Sequence, residues 1–203
     1  RIHIGFFLVV FLGVALGGVG LWQWKVSVET YGEQGFEALE QAARAVRSKN
    51  VGLAQEKLQE AEGHFSRGSE LLFGVEHLLP VLSKIPGMEL IVSGIALMRA
   101  GDHLAVGAQE LSAFLSRALI DFDTASKNPS LLGILDRGEK DLIQGNKEIQ
   151  AALRFLEYVH PESLPEEKQR PFQRSEALLP VLAHALDLSV THLDLLKELD
   201  RKS

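Results

Sequence analysis

The chain has 203 residues, a formal net charge of −6 and no cysteine. Acidic residues are spread along the chain and no basic cluster could follow a phosphate backbone, so the composition argues against nucleic acid as a partner. The lack of cysteine excludes disulfides and thiolate metal sites, while the compartment stays open.

An uncharged stretch, Ile4 to Trp24, opens the chain and predicts a transmembrane helix. Its length as a helix, about 31 Å at 1.5 Å per residue, matches a hydrocarbon core of about 30 Å. Trp22, Trp24 and Lys25 follow as an aromatic and cationic interface anchor. We therefore predict a membrane anchor in residues 1–25 and a second domain in residues 26–203.

Two other interpretations of this stretch stay open. It could be a buried core helix, or a cleaved signal peptide with a weak cleavage site at Ala15-Leu16-Gly17. The apolar run continues past that site to Leu21, which favours an uncleaved anchor. The basic start at Arg1 and the acidic residues after Lys25 favour a cytoplasmic N-terminus and an extracytoplasmic domain at the cell membrane.

Gly13 and Gly17 form a small-xxx-small pair within the predicted span. Small residues four apart let two helices approach closely in lipid, so the pair predicts association within the membrane. Glycine is also common in membrane helices without such a role.

Everything after Lys25 predicts helix, with no sustained period-two alternation. The first helix is expected to run through Val46, with Asn50 as N-cap of a second helix that is kinked at Pro80. Pro86-Gly87 turns the chain into a third helix from Met88 to Phe122, antiparallel to the second. A fourth helix is predicted from Ser130 to Val159, and a fifth with a bend or late start because of Pro171 and Pro180.

Small residues recur every seven positions in three of these helices, beside columns of large apolar residues. Mid-helix glycine costs about 1 kcal/mol relative to alanine, so we interpret these columns as sites of close helix packing in coiled-coil-like seams. The fold class is thus predicted as all-α: one transmembrane helix followed by an elongated antiparallel helical bundle with heptad seams. The small positions are Ala54, Ala61, Gly68, Gly94, Gly101, Ala108, Gly138, Gly145 and Ala152.

No catalytic, cofactor or metal motif is evident in residues 26–203. There is no nucleophile elbow and no phosphate-binding glycine loop. His184 and His192, with Asp187 between them, are the nearest approach to a metal site, and we favour the explanation that they are surface or groove histidines. We expect no enzyme activity and no cofactor in this segment.

The segments Phe36-Glu-Ala-Leu-Glu, Leu79-Pro-Val-Leu-Ser-Lys-Ile-Pro-Gly87 and Ala100-Gly101-Asp102, with Ala54, Leu58, Ala61 and Phe65, suggest one bacterial group. The chain resembles the N-terminal region of membrane-anchored proteins grouped as domain of unknown function 4012. The resemblance implies a membrane helix, a helical stalk and then a globular domain whose opening motif does not occur here. Some members look linked to surface polysaccharides, which implies a cell-envelope setting.

The leading hypothesis is a structural and interaction protein: a membrane-tethered stalk that presents a distal domain or joins an envelope assembly. Its expected partners are membrane lipid and either a second copy or a larger complex. A sensor ectodomain is the second hypothesis, and it needs a further apolar span. The third is the non-catalytic stalk of an enzyme whose active part lies beyond Ser203, since the chain starts at Arg1 and resembles a piece of a longer protein.

Overall fold

In the computed structural model, the described residues, 26–72, 74–124 and 131–202, form a bundle of helices and contain no strand. The first helix, α1, covers residues 26–47. It is followed by α2 (Val51–Leu71), a 3₁₀ turn (Glu76–Leu78), α3 (Leu79–Leu82), α4 (Glu89–Thr124), α5 (Leu131–Leu156), a second 3₁₀ turn (Pro161–Ser163) and α6 (Glu166–Lys202). The predicted all-α class is confirmed.

The turn between α1 and α2 is built as the local sequence predicts. Lys49 has a positive φ of 59°, and Asn50 follows as the N-cap of α2. The Asn50 side chain accepts a hydrogen bond of 3.1 Å from the backbone N–H of Leu53, which satisfies one of the unpaired donors of the first turn.

The second predicted helix breaks earlier than expected, so the kink assigned to Pro80 is wrong. Helix α2 ends at Leu71, and Gly74 has a φ of +81°, which is incompatible with continuing a right-handed helix. Pro80 instead lies at the start of the short α3, where its missing N–H costs no helical hydrogen bond. The chain then turns at Pro86–Gly87, where Gly87 has a φ of +86°.

Helix α4 is the central helix and contacts α2 on one side and α5 on the other. It runs antiparallel to α2: Gln55 Nε2 donates to Ser116 Oγ at 3.1 Å near one end, and Gln109 Nε2 donates to Glu62 Oε2 at 2.6 Å nearer the middle. The ion pair of 2.6 Å between Arg117 and Asp141 joins α4 to α5.

Helix α6 is one uninterrupted helix, so the predicted late start is wrong. It begins at Glu166 and continues through both Pro171 and Pro180. Each proline removes one backbone donor from this helix, and the bend given as the alternative to a late start stays a prediction. One face of α6 packs on α5, where Ala183 and Leu186 join a buried cluster with Leu142 and Ile149.

The loop between α5 and α6 is tied to the start of α4 by a buried hydroxyl. Ser93 is fully buried on α4, and its Oγ accepts a hydrogen bond of 2.9 Å from the backbone N–H of His160. The Ser93 and Ser163 hydroxyls lie 2.9 Å apart. The first residues of α1, α4 and α6 therefore lie at one end of the bundle, together with the turn after α2.

Several predictions lie outside the described residues. These are the transmembrane span itself, the Gly13–Gly17 pair, the anchors Trp22, Trp24 and Lys25, and the Ser130 cap. Among the described residues, one helical segment, Glu89–Ala118, is long and apolar enough to cross a membrane, and half of its most apolar window is buried in the bundle. Its place as the central helix accounts for that composition.

Candidate functional site

The small positions were predicted as close helix contacts, and four glycines among them lie against large side chains of a neighbouring helix. A Cβ on Gly68 of α2 would collide with the Met98 side chain of α4. A Cβ on Gly101 of α4 would collide with the Phe65 ring of α2, and one on Gly138 of α5 would collide with the Phe114 ring of α4. A Cβ on Gly145 would lie 3.0 Å from Leu111. At each of these positions a side chain would displace a packed neighbour.

Phe65 occupies the contact between three helices. Its ring is fully buried, packs edge-to-face on Phe36 at 5.2 Å between centroids, and fills the space over Gly35 of α1 as well as Gly101. Two glycines from different helices therefore leave room for one aromatic ring.

The other small positions differ in their surroundings. Three alanines, Ala54, Ala61 and Ala152, are buried, whereas Ala108 is half-buried. Gly94 departs from the prediction, because nothing lies within 4 Å of a Cβ placed there. It lines an open groove instead of a helix contact.

Gly107, which the spacing argument missed, marks a close approach of α4 and α5. A Cβ on Gly107 would lie 3.3 Å from the Gly145 carbonyl oxygen, and a Cβ on Gly145 would lie 3.4 Å from the Gly107 carbonyl oxygen. The heptad column had pointed to Ala108, one position along. Gly107 follows Gly101 by six residues, about 120° around an α-helix, so it faces α5 whereas Gly101 faces Phe65 of α2.

One polar pair links α4 to α5 inside a small cleft. His103 Nδ1 lies 2.7 Å from Glu148 Oε2, and the imidazole stacks on Phe155 with centroids 5.5 Å apart. Lys147, Arg154 and Tyr158 complete the lining. The pair joins α4 to α5 at the wall of this cleft.

Asp102, next to His103, is half-buried in the interface between α2 and α4. Burial raises the pKa of this carboxyl above its ordinary value, because the charged form loses water, while the charges of His103 and Arg99 act in the opposite direction. The ionised form therefore costs stability at neutral pH.

Two exposed apolar surfaces stand out from the packed interior. The first, here called the turn-end surface, consists of Leu78, Val81, Ile85, Leu90 and Ile91, which are 43–61% exposed. An open apolar groove of about 500 Å³ adjoins it, between the starts of α1, α4 and α6, with an ion pair of 3.5 Å between Lys168 and Glu33 at its rim.

The second surface, the outer stripe, runs along α6. Leu178, Val181, Leu188 and Leu195 are 44–68% exposed. Exposed Ala185 and His192 fill the intervening positions, so the spacing alternates between three and four residues. The buried residues of α6, including Ala183 and Leu186, lie on a different face. The three- and four-residue spacing of the outer stripe is present in the sequence. It was not recognised, because the buried face of α6 adds a second set of apolar residues in the same stretch.

The histidines considered for a metal site stay apart from any cluster. His184, Asp187 and His192 are all exposed on α6, and the His192 ring bonds the carbonyl of Leu188 at 2.6 Å. In the part of the chain that the structure describes, no group of three metal-ligating side chains occurs.

Comparisons with protein-family models, with curated proteins and with solved structures give no match for this chain. The resemblance to domain of unknown function 4012 stays a prediction.

Proposed function

We propose that this protein is a membrane-tethered structural and interaction protein of the bacterial cell envelope. In this proposal the uncharged segment Ile4–Trp24 crosses the membrane once, with the N-terminus in the cytoplasm. The helical bundle then stands outside as a stalk that associates with another subunit, with no catalytic step of its own.

The outer stripe of α6 is the observation that carries the proposal. Apolar side chains at alternating three- and four-residue steps form the seam by which one helix packs on another. On α6 this seam faces away from the bundle, and four of its large residues are about half-exposed or more. A row of exposed large apolar side chains on one helix face is the kind of surface that a protein partner can cover.

We propose a second copy of the chain as the occupant. Two copies anchored in one bilayer have the same orientation, so their α6 helices would run parallel and could pair in a two-fold symmetric seam. His192 would lie at a seam position, where a polar residue can set the register of a pair. The Gly13–Gly17 pair would bring the two membrane helices together below it.

The test is the mass of the full chain in detergent, measured by light scattering. We expect a dimer for the parent and a monomer for the double variant Leu188→Glu, Leu195→Glu, because charge in the seam prevents pairing. Leu115→Glu is the matched control. Leu115 and Leu195 have similar exposure, 57% and 53%, but only Leu195 lies in the outer stripe. A monomeric parent would contradict the proposed self-association.

The contribution of the membrane helix is separable. Gly13→Ile with Gly17→Ile adds side-chain bulk at the predicted crossing and should weaken the dimer without changing the bundle. If this variant keeps the dimer and the stripe variant does not, association resides in α6 alone.

The resemblance to domain of unknown function 4012 adds a distal globular domain to this proposal. The stalk would then hold that domain away from the membrane. Expression of the full-length gene product and limited proteolysis between stalk and distal domain would test this arrangement, which predicts a protease-resistant fragment containing residues 26–203.

A further inference from the structure

The turn after α2 lies at the same end of the bundle as the first turn of α1. Val28 packs in one buried cluster with Leu72 and Leu79, and it lines the same groove as Gly87 and Leu90. The chain therefore enters the bundle, at residue 26, beside the segment that connects α2 to α4.

That connecting segment carries apolar side chains on both of its sides. Leu79 is buried at 1% exposure and holds the turn to the core, whereas Leu78, Val81 and Ile85 are 51%, 61% and 46% exposed. All three belong to the connecting segment, Leu78 at the end of the 3₁₀ turn, Val81 in α3 and Ile85 just after it. Leu90 and Ile91 extend the exposed apolar surface onto the start of α4.

The proposed anchor would hold this surface close to lipid. Val28 follows Trp24 by four residues, which is about 6 Å along a helix. The headgroup region of a bilayer is about 5–7 Å thick on each side of the hydrocarbon core. Leu90 and Ile91 of the turn-end surface line the same groove as Val28 and would therefore fall within reach of the headgroup layer. Leu78, Val81 and Ile85 belong to the connecting segment that leads into Leu90.

We propose that the turn-end surface rests in the lipid interface of the membrane that carries the anchor, as a second attachment beside the transmembrane helix. This inference rests on the proposed function, because it needs the span. Its partner is the bilayer itself: apolar side chains enter the boundary between headgroups and acyl chains, as an interfacial amphipathic segment does. Two attachments would fix the tilt of the bundle and hence the direction of α6.

Charge at the surface points to apolar contact with lipid rather than attraction to anionic headgroups. Glu89 accepts a hydrogen bond of 3.1 Å from the backbone N–H of Gly87, which stabilises the turn but brings a negative charge. Lys84 can extend its ammonium group toward phosphates while its stem stays apolar. The contact should therefore form in vesicles of zwitterionic phosphatidylcholine and change little with salt.

The lack of cysteine makes a direct test possible, because a single introduced thiol can carry an environment-sensitive fluorophore. The full chain carrying Val81→Cys is labelled and reconstituted into phosphatidylcholine vesicles with and without lipids bearing a nitroxide quencher. Val46→Cys is the matched control: Val46 is 62% exposed and Val81 is 61% exposed. Val46 lies 18 residues beyond Val28 on α1, about 27 Å toward the opposite end.

We expect the probe at Val81 to be quenched several-fold more than the probe at Val46 and to emit at shorter wavelength. Ile85→Cys should behave like Val81→Cys, which guards against a local effect of one label. Equal quenching at Val46 and Val81 in protein that floats with the vesicles overturns this inference and leaves the anchor intact. A blue shift at Val81 without quenching also overturns it, since protein rather than lipid then covers the surface. Failure of the protein to float with vesicles overturns both the inference and the proposed anchor.

Discussion

Helices α4 and α6 are nearly equal in length, with 36 and 37 residues, but they meet their neighbours differently. Helix α4 is covered by α2 on one side and α5 on the other, and glycines at Gly101 and Gly107 let those helices come close. Helix α6 packs through one face and leaves the outer stripe exposed. The enclosed helix, α4, thus has small residues where its neighbours pack. The helix α6 has large apolar residues on two faces, and one of these faces is free for a partner.

The largest expected effect comes from two leucines of α6 that lie two positions apart. Leu186 is buried with Leu142 and Ile149, so Leu186→Ala should lower the free energy of unfolding by about 2–5 kcal/mol through lost burial and a cavity. Leu188 is 44% exposed on the outer stripe, so in the monomer Leu188→Ala should change the free energy of unfolding by less than about 0.5 kcal/mol. Chemical unfolding of monomeric protein, followed by circular dichroism, measures both; equal losses would mean that the two faces are not distinct.

Two glycines of α4, one heptad apart, make a second pair. Gly101→Ala forces a methyl group into the buried Phe65 ring and should destabilise the protein by about 1–3 kcal/mol. Gly94→Ala meets nothing within 4 Å and should stabilise it by about 0.5–1 kcal/mol, because alanine loses less backbone entropy in a helix. Thermal melting of both variants sharpens the comparison, and a matching loss at Gly94 would place that residue at a close contact after all.

The smallest effect concerns Asp102, whose pKa is raised in the folded protein by burial. A raised carboxyl pKa means that ionisation opposes folding: the cost is fully present above the folded pKa and vanishes below the unfolded value. Asp102→Asn should therefore raise the melting temperature at pH 7–8, and the gain should shrink as pH falls toward about 4, the ordinary carboxyl value. Melting curves across this pH range test the sign; a destabilised variant at neutral pH would show that the carboxylate is favourably paired.

Much of the fold was predictable because helix ends depend on neighbouring residues. The N-cap at Asn50 follows from local chemistry. The antiparallel packing of α2 and α4 follows from the short connection between them through Pro86–Gly87. The end of α2 at Leu71 was missed because the apolar spacing continues past it. Pro171 and Pro180 lie within α6, so the late start assigned to them was wrong, while the alternative, a bend, stays a prediction.

The candidate surfaces divide in the same way. The seven-residue spacing of small side chains pointed to Gly101, Gly138 and Gly145, each of which lies against a neighbouring helix. The outer stripe and the turn-end surface escaped notice, because Leu188 and Val81 have the same residue types as core positions. Likewise, His103 and Glu148 stand 45 residues apart and are brought together only by the packing of α4 on α5.

The amino-acid sequence by itself determined that the described residues beyond 25 are almost all helical, and where several of the helices begin, since hydrogen bonding and capping act within a few residues. It also carried the uncharged run that predicts an anchor. Only the tertiary structure decided which apolar faces are covered. Leu186 and Leu188 differ in burial because α5 packs against one face of α6 and not the other, and a neighbour distant in sequence leaves no trace in the local pattern.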